Sequence, residues 1–327
     1  MNYSFFGTCS NDYNQIFGCI KTIINQSILP KEIILVNSGN KDIEKEINQI
    51  IEGRPIKLIH IFKKLPRVKS LNIGLSLSSS DFSFRFDSRS RFSRNYAINA
   101  LRILQDKQIM AEVVGGVPNT IAESDNYEAN LCADIMGRFY IFLYPKHRKP
   151  DYTGYSSSIY LGCFNSALLK KILFRESNTL LSEDSLIISD FLKQGYKSYL
   201  SNQIKITYVS RASFFKILKL FNTYGYCRAN TILLTKNIFI SKRHLIVFIL
   251  FLISSLILIK ISFIYLLLIP LILLISNILG EIIFFRNNIK IHLPFYGILC
   301  QFSWIIGFLW NLMTILKKEK IKSNFIS

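Results

Sequence analysis

The first 87 residues alternate short apolar runs with segments of helical periodicity, and this alternation limits the possible folds more than any other feature. The apolar runs predict strands, and the segments between them predict helices that begin near Asp12, Lys41 and Leu71. The predicted strands are Tyr3–Cys9, Glu32–Val36, Lys57–Phe62 and the run that ends at Asp87. Strands that alternate with helices favour a parallel sheet with crossover helices, which predicts an α/β fold.

Polar side chains follow three of these strands at the point where each strand ends. Asn11 comes after the first strand, Asn37 ends the second, and Asp87 stands where an alternating run of three phenylalanines stops. Ligands of open α/β sheets bind beyond the carboxyl ends of the strands, so we expect these side chains to line one crevice. Taken alone, an aspartate after a strand is more typical of a turn residue that binds its own backbone. The chain contains neither G-x-G-x-x-G nor G-x-x-x-x-G-K, which argues against a dinucleotide fingerprint and a P-loop.

Two long tracts near the carboxyl end are almost free of ionised side chains. Between Leu245 and Phe285 only Lys260 and Glu281 are charged, and residues 295–316 carry no charge. Each tract exceeds the roughly 18 apolar residues that indicate a membrane span. We therefore predict a membrane region at 244–316 with two or three helices, at about 244–259, 262–285 and 295–316. Three spans would place the basic tail, 317–327, outside the cell, against the positive-inside rule, so the number of spans stays open.

The net charge of +19 could indicate a nucleic-acid partner, but lysine and arginine residues also flank the apolar tracts, which favours anionic lipid as the partner. Residues 211–235 mix lysine and arginine with phenylalanine and leucine, as in an amphipathic segment on a membrane surface. The amino terminus lacks the basic and apolar regions of a signal peptide. We expect a cytosolic domain at 1–240 on a multi-pass protein of the cytoplasmic membrane. The six cysteines form no C-x-x-C pair and are expected to be reduced.

Seven short motifs follow one another along the first 235 residues. They are Gln26-Ser27-x-x-Pro30-x-Glu32-Ile33-Ile34-x-Val36, Leu71-Asn72-Ile73-Gly74, Arg85-x-Asp87-x-Arg89, Val114-Gly115-Gly116, Leu161-Gly162-Cys163 with Lys170-Lys171, Glu183-Asp184, and Tyr224-Gly225-x-x-Arg228. In this order they resemble the motifs of family 2 glycosyltransferases of the GT-A fold. The resemblance extends to the membrane-anchored bacterial members of the succinoglycan glucosyltransferase type, which act in exopolysaccharide assembly.

This resemblance implies a hexosyltransferase that moves a sugar from a nucleotide-sugar donor to a lipid-linked or cell-envelope saccharide. It implies donor contacts at Thr8, Asn11, Asn37, Arg85, Asp87, Arg89 and Arg228. Asp87 is the implied ligand of Mg2+ or Mn2+, which stabilises the leaving diphosphate. Two positions depart from the family pattern, because Arg89 replaces the second acid of D-x-D and Asn37 replaces an aspartate. The diphosphate charge is therefore assigned either to a metal at Asp87 or to Arg85 and Arg89.

Glu183 and Asp184 begin a predicted helix, where acidic residues commonly complement the helix dipole. The resemblance implies a different role, in which Asp184 is the general base for the acceptor hydroxyl and Glu183 supports it. A single base on the face opposite the leaving group gives direct displacement with inversion. Because Arg89 and Asn37 depart from the family pattern, an alternative is a catalytically inactive scaffold in a polysaccharide assembly complex. A transporter is disfavoured, since transport pathways usually need ionisable groups within the spans.

Overall fold

The computed structural model describes residues 2–138, 140–141, 144–177, 182–235, 253 and 268–324. The chain forms two compact units. The first comprises Met1–Ile121, Lys146–Asn178 and Glu183–Ser210, and the second comprises Ala122–Pro145, Thr179–Ser182 and Arg211–Ser327. The functional boundaries expected at 240 and 244 lie outside the described residues and stay predictions.

The elements of both units are numbered here along the chain. The strands are β1 (Tyr3–Cys9), β2 (Glu32–Asn37), β3 (Lys57–Phe62), β4 (Phe82–Asp87), β5 (Ser90–Phe92), β6 (Val113–Gly115), β7 (Pro118–Ile121), β8 (Gly154–Tyr155), β9 (Cys163–Asn165), β10 (Ser198–Leu200) and β11 (Ile206–Val209). The helices are α1 (Tyr13–Ile23), α2 (Glu44–Ile51), α3 (Arg67–Leu77), α4 (Tyr96–Leu104), α5 (Tyr127–Arg138), α6 (Ser166–Ile172), α7 (Glu183–Lys193), α8 (Phe214–Thr235), α9 (Leu268–Phe284) and α10 (Leu293–Asn324). Helices α5, α8, α9 and α10 belong to the second unit.

The main sheet has the strand order β3-β2-β1-β4-β9-β6-β10-β8. Its first four strands run parallel, which confirms the α/β arrangement predicted for the front of the chain. The sheet as a whole is mixed, because β9 pairs antiparallel with both β4 and β6. The chain enters β9 through a turn in which Leu161 and Gly162 have φ values of 62° and 90°. Residues 156–162, which connect β8 to β9 and are all described, contain no helix, and a short connection of this kind permits an antiparallel strand.

Two hydrophobic clusters cover opposite faces of the main sheet. On β1, Phe5 belongs to the cluster that includes residues of α1 and α4. Its neighbour Phe6 points the other way, into the cluster that includes residues of α3, α6 and α7. Every residue of β1 and β2 is buried, as expected for strands covered on both faces. Both faces of these strands are thus occupied by packing, which leaves their carboxyl ends as the place for a ligand.

Close backbone contact and buried polar pairs hold the helices of the second unit together. A Cβ atom at Gly225 of α8 would lie 1.9 Å from the carbonyl oxygen of Trp304 on α10, so glycine is required where these helices cross. Nearby, Asn311 Nδ2 donates to Asn230 Oδ1 at 2.7 Å. The glycine of the Tyr224-Gly225-x-x-Arg228 motif therefore has a packing explanation.

A buried ion pair fixes the carboxyl end of α9. Glu281 is 1 % exposed, and its Oε1 accepts from Arg138 Nε on α5 at 2.6 Å and from the hydroxyl of Tyr140 at 3.1 Å. Arg138 also lies over the ring of Phe285, 4.5 Å from its centroid. A buried carboxylate is tolerated only with such partners, so α9 ends within a folded unit.

The prediction of several membrane spans is not supported by the described residues. In that part of the chain one helical stretch, Leu293–Thr314, is long and apolar enough to cross a bilayer, with 22 residues and a mean hydropathy of 1.4. The span predicted at 262–285 overlaps α9, whose apolar part, Pro270–Phe284, is shorter. Residues 262–267 of that predicted span lie outside the described residues. The span predicted at 244–259 lies almost entirely outside the described residues.

Candidate active site

The carboxyl ends of three parallel strands bring the predicted donor residues together. Thr8 on β1 lies opposite Asp87 on β4, and Cys9 lies opposite Asn37 on β2. Arg85 and Asp87 lie two residues apart and share one face of β4, because side chains alternate along a strand. This local pattern places a carboxylate and a guanidinium side by side at the end of the sheet.

Five charged side chains from three elements form one cluster at this edge. Arg67 Nη2 donates to both carboxylate oxygens of Asp87, at 2.8 and 3.0 Å, and Arg67 Nε donates to Glu183 Oε1 at 2.8 Å. Arg85 Nη2 donates to Glu183 Oε1 at 3.2 Å and lies 3.7 Å from Asp87 Oδ1. Arg85 Nη1 also pairs with Asp184. The cluster thus contains three carboxylates and two guanidinium groups.

Arg85 is the fixed centre of the cluster. Its side chain is 0 % exposed, and its guanidinium lies 5.5 Å from the centroid of the Phe174 ring. Its backbone N–H donates to the carbonyl of Gly162 at 3.1 Å, which ties β4 to the turn before β9. Because the charge of Arg85 is directed at Glu183 and Asp184, the structure shows it orienting the two acids. A direct contact between Arg85 and the donor diphosphate stays a prediction.

The site separates the pKa values of the two adjacent acids. Burial raises the pKa of Glu183, but Arg67 and Arg85 outweigh it and hold that pKa below its usual range. Burial raises the pKa of Asp184 to about 6, where the lowering by Arg85 is opposed by the charges of Glu183 and Asp87. The Asp184 side chain is 41 % exposed, so it is accessible to an acceptor hydroxyl. Glu183 is thus ionised beside Asp184, an accessible carboxyl of raised pKa, and this arrangement is suited to general base catalysis.

Asp87 remains ionised in the same surroundings. Burial raises the pKa of its carboxyl, and the nearby Arg67 and Arg85 more than offset that effect, so the pKa is lowered. An ionised carboxylate at a strand end is available to a cation. The structure thus agrees with the charge state expected of Asp87, while its contacts in this state are with arginine.

The predicted donor residues Asn37 and Asn11 both bond to the loop between β2 and α2. The Asn37 side chain accepts from the backbone of Gly39 at 2.9 Å and donates to the carbonyl of Lys41 at 2.8 Å. Asn11 is exposed, and its Oδ1 accepts from the backbone of Asn40 at 3.0 Å. Both asparagines therefore shape this loop, and the nucleobase contact of Asn37 and the donor contact of Asn11 stay predictions.

Two further predicted donor residues, Arg89 and Arg228, lie outside the charge cluster. Arg89 Nε donates to Asp12 Oδ2 at 3.0 Å, and its Nη1 donates to the carbonyl of Ser210 at 3.2 Å. These contacts tie the turn after β4 to the start of α1. Arg228 lies on α8 in the second unit, so its role at the donor stays a prediction.

Sequence reasoning missed Arg67 and Tyr160. Arg67 is the first residue of α3, directly after the loop from β3, and such loops lie at the carboxyl edge of a parallel sheet. That position was a usable signal for Arg67. The hydroxyl of Tyr160 is buried without a hydrogen-bond partner among the described residues. Burial raises its pKa, and the charge of Asp87 adds to the rise, which places the hydroxyl within electrostatic reach of the site.

Two groups of side chains have the chemistry to hold a divalent cation. Asp87 and Glu183 converge on one cation, the Arg67 guanidinium, and the hydroxyl of Thr8 lies 3.5 Å from Arg67 Nη1. Oxygen donors of this kind suit Mg2+ or Mn2+. In the second group, ligand atoms of Asp42, Glu44 and His60 lie within 4.8 Å of one another. There Asp42 Oδ1 also accepts from the backbone of Glu44 at 3.0 Å, which is an ordinary helix-start contact.

Solved structures share the fold described above. The mannosyltransferase PcManGT from Pyrobaculum calidifontis, solved in complex with GDP-Man and Mn2+, superposes with a TM-score of 0.55 at 12 % identity, over 95 % of this chain and 87 % of that one. Residues 1–349 of S. aureus TarS give a TM-score of 0.49 at 13 % identity, over 97 % of this chain and 92 % of that one. At these identities the first likeness establishes the GT-A-like fold alone, and the second carries no argument.

Sequence comparison identifies the family. A curated relative from Methanococcus voltae is 26 % identical over 240 residues, which are 66 % of this chain and 69 % of that protein. It is the dolichyl N-acetyl-alpha-D-glucosaminyl phosphate 3-beta-D-2,3-diacetamido-2,3-dideoxy-beta-D-glucuronosyltransferase. The family profile described as Glycosyl transferase family 2 matches residues 7–173, which is half of the chain and includes the end of β1, all of β2–β4 and the site residue Asp87. This chain is therefore a glycosyltransferase and belongs to glycosyl transferase family 2.

Proposed function

We propose that this chain is an inverting hexosyltransferase that moves a sugar from a nucleotide-sugar donor to a lipid-linked or cell-envelope saccharide at the cytoplasmic membrane. Exopolysaccharide assembly of the succinoglycan type is the process that its motifs favour. One observation carries the proposal. The cluster at the sheet edge combines an ionised strand-end carboxylate, Asp87, with an accessible carboxyl of raised pKa, Asp184.

The reaction follows from the placement of these two acids. Asp184 accepts the proton of the acceptor hydroxyl as the acceptor oxygen attacks the anomeric carbon. The bond from that carbon to the donor diphosphate breaks, and the nucleoside diphosphate leaves with the electron pair. Attack from the face opposite the leaving group inverts the configuration. A divalent cation bound at Asp87 supplies charge neutralisation for the departing diphosphate.

Two observations support a membrane lipid as carrier of the acceptor. The Methanococcus voltae relative is named for a dolichyl-linked substrate. On α9, large apolar side chains spaced three or four residues apart are about half exposed, which forms a stripe suited to lipid contact. They are Leu271, Ile275, Leu279 and Ile282. We infer that α9 and α10 contact the bilayer while residues of the first unit face the cytosol.

Membrane contact predicts a distinct extraction behaviour for the full chain. We expect the protein to pellet with membranes and to remain there in high salt, because apolar contact is insensitive to screening. Detergent should release it. Release by salt alone would contradict contact through α9 and α10 and leave only electrostatic binding by the basic residues.

Donor turnover is the direct test of the proposed function. Detergent-solubilised full chain, given UDP-, GDP- or dTDP-sugars with Mg2+ or Mn2+, is expected to release the nucleoside diphosphate of one donor. Asp87→Ala should lower that rate by about 10²-fold or more, since it removes charge stabilisation at the leaving group. Asp81→Ala is the matched control and should retain the wild-type rate, because Asp81 is an exposed acid directly before the first residue of the same strand.

The outcomes of this test separate the candidate functions. Product of inverted anomeric configuration, read by NMR, would support single displacement. Full turnover in EDTA would move diphosphate stabilisation from a metal to the arginines. If no donor is bound or turned over even with membrane lipid extract, the scaffold function becomes the better explanation.

A further inference from the structure

We propose that Arg67 is an exchangeable cation of the donor site, an inference that rests on the proposed function. Without donor, Arg67 binds the carboxylate of Asp87. When the donor arrives, Arg67 transfers to its diphosphate and thereby frees the Asp87 oxygens for a divalent cation. Arg67 is thus a specificity and positioning residue for the diphosphate.

Arg67 makes the contacts with Asp87 and Glu183 that a divalent cation would make if it were bound there. One guanidinium group spans Asp87 and Glu183, with three N···O distances of 2.8, 3.0 and 2.8 Å. Both oxygens of Asp87 are used by the same nitrogen, Nη2. A nitrogen this close to both oxygens lies between them, where a metal ion bound to both oxygens would also lie, so Arg67 and such an ion compete for that position.

Exposure decides which of the two arginines is able to move. The Arg67 side chain is 44 % exposed, whereas that of Arg85 is 0 % exposed and packs against Phe174. Moving Arg85 would leave Asp184 without its guanidinium partner and would take one of two such partners from Glu183, which is 16 % exposed. Arg67 reaches solvent from the first turn of α3, so its long side chain is able to reorient without repacking of the sheet.

The charge balance of the cluster supplies the driving force. Three carboxylates, those of Asp87, Glu183 and Asp184, face two guanidinium groups, which leaves a formal charge of −1 (−3 + 2). A diphosphate brings further negative charge and is bound best by a planar, bidentate guanidinium. Transfer of Arg67 to the diphosphate satisfies that anion, and it exposes a carboxylate that a divalent cation neutralises.

Oxygen donors remain in place after Arg67 departs. Thr8 lies opposite Asp87 across the β1–β4 pair, and Glu183 is already held by Arg85 at 3.2 Å. Carboxylate and hydroxyl oxygens are the donors that Mg2+ and Mn2+ prefer. The residues present therefore fit a hard divalent cation once Arg67 has moved.

The test compares Mn2+ affinity with donor affinity in Arg67→Gln. Titration of Mn2+ into the solubilised full chain without nucleotide is expected to show binding about tenfold or more tighter than in the wild type, because the competing charge-assisted bonds are gone. Affinity for the donor identified by the turnover panel should fall by a similar factor. Lys69→Gln is the matched control, since Lys69 is exposed on the same helix and should change neither affinity.

A double variant shows where the Mn2+ binds. The gain in Mn2+ affinity expected for Arg67→Gln must disappear in Arg67→Gln/Asp87→Asn if the ion binds at Asp87. If the ion binds at Asp42, Glu44 and His60 instead, the double variant would still bind it. Unchanged or weaker Mn2+ binding in Arg67→Gln, together with normal donor turnover by the wild type, would overturn the proposed exchange of Arg67 but leave the proposed function intact. If the wild-type chain binds no donor at all, the proposed function fails and the role of Arg67 fails with it.

Discussion

Asp184→Asn is expected to lower kcat by about 10²- to 10⁴-fold while donor affinity stays near that of the wild type. Asparagine has the same shape but accepts no proton, so general base catalysis is lost without a change in packing. The contact between Arg85 and residue 184 changes from an ion pair to a hydrogen bond, and the remaining acids keep Arg85 in place. Single-turnover kinetics with the donor from the panel, beside a donor-binding titration, measure the two quantities separately.

The pH dependence of kcat/KM provides the matching readout. The base acts in its deprotonated form, and its pKa is raised to about 6, so the wild-type rate should be constant above about pH 7 and fall tenfold per unit below pH 6. Asp184→Asn should lose this inflection. Asp190→Asn, on the same helix but paired with Arg175, should retain both the rate and the inflection. A kcat within a few fold of wild type in Asp184→Asn would contradict the assignment.

Arg85→Leu is expected to cost about 3–5 kcal/mol of folding stability. The substitution keeps apolar volume next to Phe174 but leaves Glu183 and Asp184 without their buried partner, and the loss of one member of a buried pair carries such a cost. Thermal and denaturant midpoints of the solubilised chain measure the change. The loss should be smaller at pH 5 than at pH 8, because protonation of Asp184 removes one of the unpaired charges.

Arg67→Leu is the control for Arg85→Leu, because it removes the same charge from a partly exposed position. Its effect on stability should be about 1 kcal/mol or less, since solvent replaces the lost pairs. Equal losses in the two variants would show that burial does not set the energetics of this cluster. A loss confined to Arg85→Leu would confirm that this arginine organises the acids.

Much of the site was predictable because it is built on local patterns. The alternation of Phe82, Phe84 and Phe86 determines that Arg85 and Asp87 share the opposite face of β4. Asn37 and Asp87 end β2 and β4, the two parallel strands that flank β1, and these positions followed from the alternation of strands and helices. Predictions of this kind hold in the folded chain because they depend only on the alternation of side chains along a strand.

Other features depended on contacts between distant segments, and the sequence did not show them. Arg67 meets a carboxylate 116 residues away at Glu183, and no periodicity relates the two positions. The antiparallel entry of β9 made the sheet mixed, and the buried pair of Glu281 with Arg138 joins residues that are 143 positions apart. Each is a pairing of groups that burial makes necessary but that local sequence does not specify.

The sequence by itself determined the α/β class, the strand-end position of Asp87 and the paired acids at the start of α7, because period and helix-start preference act over a few residues. The tertiary structure decided how those acids are charged. Only the folded chain places Arg85 in the interior, Arg67 at the surface and three carboxylates around them. The physical reason is that desolvation and charge pairing depend on distances in space, which the order of residues along the chain does not reveal.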